Sequence, residues 1–210
     1  MSDGIVRRLV IFGSPGALVV LELAHPLSAT DTSATWWTTL HLIQMPLFGL
    51  VGLAAFLLVR RDGVDRWSIA LVATSIGVFV VYYTALDAVG GVALGRLLSF
   101  QATLPAGERV IVGRAIDAMY TRTGIVLFFD VGTWAWTIGL LVAALSLVRS
   151  GLPWPPAVIL VLSTIPLHQD HGRPYGPIAF GLFLVAALWF ELWPSRGPVV
   201  SRRPMTSAIP

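Results

Sequence analysis

Two imidazoles and a carboxylate stand within four residues at His168, Asp170 and His171. Imidazole nitrogen and carboxylate oxygen are standard ligands for zinc and other divalent ions. The spacing matches neither His-Glu-x-x-His nor a deaminase signature, so any metal site must be completed from elsewhere in the chain. The remaining histidines, His25 and His41, are the available partners. Glu22 lies three residues before His25, which places both on one helical face. Glu-x-x-His also occurs in di-iron bundles, but that architecture needs the motif twice and two further glutamates, and this chain has one copy.

Asp87 is the most pointed single residue. Asp87, Gly91 and Gly95 recur every four positions, and a small-x-x-x-small face lets another helix come close. A carboxylate on that face is expected to meet protein rather than lipid, as ligand, base or buried acceptor. Asp130, Thr133 and Thr137 form a further polar stripe, expected to pack against another helix.

These groups sit in a chain built for a membrane. Of 210 residues, 56% are hydrophobic and 12% charged, about half the charge of an ordinary soluble domain. Mean hydropathy is +0.79. Six membrane-spanning helices are predicted, at about Leu9–Leu27, Trp37–Val59, Trp67–Ala88, Gly124–Val148, Trp154–His168 and Ile178–Trp193. The fold class is all-α, a polytopic membrane helix bundle. Residues 1–195 make one transmembrane domain, and 196–210, rich in Pro, Ser and Arg, read as a disordered cytoplasmic tail. The third connection is not plain loop: Leu97, Leu98 and Phe100 are too apolar for free solvent, and Val112, Ile116, Met119 and Tyr120 share one face of an amphipathic helix over 105–120. That helix is expected on the outer surface, between spans three and four.

Arginine distribution sets the expected topology. Nine of the fourteen (Arg7, Arg8, Arg60, Arg61, Arg66, Arg149, Arg196, Arg202 and Arg203) fall on one side of the threaded chain. The positive-inside rule makes that side cytoplasmic, with both termini there and the plasma membrane as location. Counting about 1.5 Å per residue then puts Glu22, His25, His41, Asp87, Asp130, His168, Asp170 and His171 near one outer level. Ionisable groups at such depth are costly and usually mark a site.

Composition also removes chemistries. There is no cysteine, hence no disulfide, thiolate nucleophile or thiolate ligand. There is no lysine, hence no Schiff base and no phosphate-loop lysine. The net charge of +3 arises at segment ends and does not call for nucleic acid. The leading expectation is a divalent-metal site, zinc first, acting in hydrolysis or transfer on a lipid-like or amphiphilic molecule. His168, His171, Asp170, His25 and His41 supply its ligands, with Asp87 or Glu22 as base or orienting group. A b-type haem held by two histidines is the second expectation. A small transporter, or a non-catalytic subunit with a membrane-protein partner, is the third.

Overall fold

A computed structural model describes residues 3–30 and 32–193. The expected tail lies outside the described residues. Seven helices make up the all-α fold: α1 Gly4–Leu23, α2 Ala34–Val59, α3 Arg66–Thr103, α4 Ala106–Met119, α5 Ile125–Arg149, α6 Trp154–Leu167 and α7 Tyr175–Leu192. Five of them (α1, α2, α3, α5 and α7) are long and apolar enough to cross a membrane, which makes this a multi-pass membrane protein. The sixth expected span, α6, is shorter. At about 1.5 Å per residue it reaches roughly 21 Å, less than the hydrocarbon core, and it is interrupted at Ser163.

Local chemistry explains the helix starts. Ser33 caps α2 by accepting the backbone N–H of Trp36, and Asp65 caps α3 by accepting those of Trp67 and Ser68. The Ser68 side-chain and backbone donors also hold the Asp65 carboxyl below its usual range. Pro155 and Pro156 sit in the first turn of α6, where no backbone donor is lost.

The long helices close a ring, with neighbours in the order α1, α2, α3, α5, α6, α7 and back to α1. Its interior is aromatic: Phe48, Phe79, Tyr83, Trp136, Phe180, Phe183 and Phe190 are all essentially inaccessible. Phe79 stacks between Tyr83 and Trp136, each ring centroid 4.6 Å away. Leucines and isoleucines such as Leu42, Ile43, Leu53, Leu141 and Leu145 point outward and stay exposed, as a lipid-facing surface requires.

At one end of the ring Glu191 accepts hydrogen bonds from the two terminal nitrogens of the Arg7 guanidinium, at 2.9 and 3.1 Å, and from an N–H of Arg61. Arg7 also donates to the Leu57 carbonyl at 2.9 Å. The start of α1 and the ends of α2 and α7 are thereby tied together. The arginines Arg7 and Arg61, expected to share a side, do so.

One expectation about the third span is corrected. It does not end near Ala88 but continues as helix to Thr103. Asp87–Ala93 is wound as a π-helix, and Gly90 and Gly91 lie buried inside it. A glycine pair lowers helix propensity by about 1 kcal/mol per residue, and that cost is offset here by close packing on α2. Trp37 Nε1 donates to the Gly90 carbonyl at 3.1 Å, and Gly91 and Gly95 abut His41 and Thr38. The Asp87–Gly91–Gly95 face does meet a helix, as its spacing indicates. The amphipathic helix is α4, and three of the four residues of its expected apolar face, Val112, Ile116 and Met119, are partly covered; Tyr120, just past the helix end, is exposed, as are Val110, Ile111, Arg109 and Arg114.

Candidate metal centre

Three histidines from three separate segments meet at the ring end opposite Glu191. His25 follows the last turn of α1, His41 lies in the second turn of α2, and His171 sits in the turn between α6 and α7. One ring nitrogen from each lies within 4.8 Å of the other two. Ring centroids are 5.3 Å apart for His25 and His41, 5.2 Å for His25 and His171, and 6.3 Å for His41 and His171. Tetrahedral zinc with nitrogen ligands at 2.0–2.1 Å needs those nitrogens about 3.4 Å apart, so the nitrogens have to close by up to about 1.4 Å.

Two of the rings are already oriented for this. His25 Nδ1 is 2.7 Å from the Pro26 carbonyl, and His41 Nδ1 is 2.7 Å from the Trp37 carbonyl. A carbonyl oxygen only accepts, so each Nδ1 carries the proton and each Nε2 keeps its lone pair. Histidine ligands to metals are typically held in this way by their second nitrogen. Burial keeps the His25 and His171 imidazoles below their ordinary pKa, His25 against the opposing pull of the Pro26 carbonyl. Neutral imidazole is the ligating form.

Glycines make the approach possible. A Cβ on Gly91 would overlap the His41 ring, one on Gly176 would overlap the His171 carbonyl, and one on Gly172 would stand 3.0 Å from His25 Nδ1. Phe48 and Tyr83 lie beneath His171, at centroid distances of 6.4 and 6.2 Å. Trp37 stands beside both His25 and His41, 5.4 and 4.6 Å away. Trp37 is not singled out by the sequence pattern; its i, i+4 relation to His41 is the signal that could have placed it beside the trio.

The carboxylates surround the trio unequally. Asp87 is wholly buried, lines the same cavity as His25, His41 and His171, and neither of its oxygens has a partner. Glu22, also wholly buried, accepts from Gln44 Nε2 at 2.7 Å through Oε1, while Oε2 has no partner. Its Cγ lies beside Gly176 under the His171 turn. Asp170 is half exposed: its Oδ1 accepts the Gly172 N–H at 3.0 Å and stands 3.5 Å from His171 Nδ1. Buried polar groups are ordinarily satisfied. Among the described residues, every buried side-chain polar atom without a partner belongs to Glu22, His25, Gln44, Asp87 or His171.

His168 is not brought into this group. Its Nε2 meets the Thr137 hydroxyl at 2.9 Å and its ring packs edge-on against Trp134, 4.7 Å away. Asp130 likewise lies elsewhere, in a shallow outer groove with Trp134 and Ile138. The arrangement also weighs against haem. His25 is nearly equidistant from His41 and His171, so it occupies the plane that a macrocycle between those two rings would need.

The trio opens into a cavity of about 450 Å³, within the range of small-molecule sites. Its walls come from the turn Leu27–Thr30, from Leu86, Leu94 and Leu98 of α3, from Ile116 and Tyr120 at the end of α4, and from Ile125. Comparison with known proteins adds no relative: no family model, curated protein or solved structure matches the chain.

Proposed function

We propose that this chain is a membrane metalloprotein in which His25, His41 and His171 hold one divalent ion, zinc by preference, for hydrolysis or group transfer on an amphiphile drawn from the bilayer. The convergence of three imidazoles within 4.8 Å, two of them oriented by backbone carbonyls, carries the reading. Three protein nitrogens with a fourth position open to a cavity is the donor set of catalytic rather than structural zinc. Zinc so held acidifies water and polarises an electrophile. Asp87 lines the cavity with two free acceptor oxygens and is the base that takes a proton there. Glu22, fixed by Gln44 behind the His171 turn, keeps one oxygen free and is the second buried carboxylate beside the site. On the positive-inside rule, the Arg7–Arg61 end faces the cytoplasm and the metal end the outer surface of the plasma membrane.

Metal analysis of the detergent-purified full chain tests this. The expected result is about one zinc per chain, lost in His25→Ala, His41→Ala and His171→Ala. A preparation that stays metal-free after zinc loading would leave a transporter or a complex subunit as the better description.

A further inference from the structure

The cavity also constrains what the site acts on. We infer that the substrate is the uncharged acyl carbonyl of a long-chain ester or amide, not a phosphate-bearing headgroup; this rests on the metal reading above.

Charge is the first argument. Among the described residues lining the cavity, the ionisable ones are the three histidines, Asp87, Asp170 and Tyr120, and none is an arginine. Phosphate recognition relies on cationic or multiple N–H donors, most often arginine forks, to offset its charge. Here two carboxylates offset the charge of a divalent ion held by the neutral histidines, which leaves no cationic surplus for a phosphate. Arg173 is in the same turn as His171 but is exposed and does not line the cavity.

Apolar shape is the second. Leu94, Leu98, Ile116 and Ile125 form a wall leading away from the trio, which suits a hydrocarbon chain. One side of that wall is α4, whose exposed Val110 and Ile111 and flanking Arg109 and Arg114 suit the level where acyl chains meet headgroups. A lipid's reacting carbonyl lies near that level too.

Asp87 is the third. Both Asp87 oxygens are free of partners, and beside a bound cation the group is held as a carboxylate, which only accepts. Water adds to the carbonyl carbon as one of its protons passes to Asp87. The bond from that carbon to the alcohol oxygen or amine nitrogen then breaks. Asp87 returns the proton to the leaving group, giving a fatty acid and an alcohol or amine, with no change of oxidation state.

The zinc-loaded full chain in detergent would be offered a C16 acyl ester, a C16 N-acyl amide, phosphatidic acid and phosphatidylcholine, with products identified by mass spectrometry. The expected result is fatty-acid release from the neutral ester or amide. It falls at least 100-fold in Asp87→Asn at unchanged zinc content, and Ile116→Trp shifts preference toward shorter chains with zinc retained. Release of phosphate or a phosphorylated headgroup, or no acyl cleavage by protein with full zinc, would overturn the inference and leave the metal reading intact. Absence of bound zinc would overturn the metal reading itself. If Asp87→Asn does not fold, the chain-length shift in Ile116→Trp decides whether this cavity holds the acyl chain; an unchanged preference counts against it.

Discussion

Gly91 and His41 share a contact that leaves no room for a methyl group: a Cβ on Gly91 would overlap Cβ, Cγ and Cδ2 of the His41 side chain. The π-helical winding of Asp87–Ala93 presents this glycine to α2 and Asp87 to the cavity together. Extra-residue turns of this kind recur at functional sites. Gly91→Ala should therefore displace the His41 ring and weaken zinc binding at least tenfold, a loss comparable to removing an orienting group. Gly107→Ala, with open space around its Cβ position, should bind zinc like the parent. Competition titration with a chromogenic chelator measures both, and equal affinities would remove Gly91 from the site's architecture.

The two histidines of the α6–α7 turn should behave differently. His171 contributes a buried ring to the trio, whereas His168 bonds Thr137 and packs on Trp134. His168→Ala should keep full zinc content and lose about 1 kcal/mol of stability with its hydrogen bond. His171→Ala should lose the metal. Parallel metal analyses would separate them, and zinc loss in His168→Ala would contradict the geometry described.

At the opposite end, Glu191 serves two guanidinium groups at once. Burial pulls the Arg61 pKa down and Glu191 opposes it. Removing the carboxylate strands two partly buried cations, which should cost about 1–3 kcal/mol, discounted from the fully buried case because the arginines remain 22–27% exposed. Glu191→Ala should lower the melting temperature in detergent by several degrees, while zinc affinity stays at the parent value.

Much of this site is legible in the residues alone, for a definable reason. Membrane threading fixes depth, so His25, His41 and His171 fall at one level simply from their distance to the arginine-marked ends. Depth does not give angular position around the ring. His168 and Asp130 satisfy the same depth count and yet face Thr137 and an outer groove. Asp87–Gly91–Gly95 was the better guide because a small-residue face states which way a helix turns. The continuation of α3 through Gly90 and Gly91 was not readable, since glycine's local preference against helix is overridden only by packing with Trp37, Thr38 and His41.

Acid should loosen the metal-free protein at this end. Burial sets the folded pKa values of His25 and His171 below the ordinary 6.5. As pH falls through about 6.5, the unfolded chain takes up protons that the folded chain refuses, so unfolding is favoured. The stability is fully present above that value and is lost progressively toward the lower folded values. Thermal melts of chelator-treated protein between pH 8 and 5 should show a falling midpoint, and the slope should flatten in the His25→Ala, His171→Ala double variant. A midpoint independent of pH over that range would mean that these rings are not held neutral by burial.

Asp87 should show a trade between stability and function. Its carboxylate is wholly buried with both oxygens unpartnered, an arrangement that costs about 1–3 kcal/mol per unsatisfied group, more if charged. Such a residue is tolerated where chemistry needs it. Asparagine has the same shape without the charge. Metal-free Asp87→Asn should therefore melt higher than the parent by a few degrees. With zinc bound the difference should shrink, because the cation offsets the carboxylate's charge in the parent alone. Melting curves of both proteins, with chelator and with zinc, give the four numbers needed. A destabilised Asp87→Asn in chelator would mean that Asp87 already has a partner in the folded protein, and its place as the free base of this site would fall.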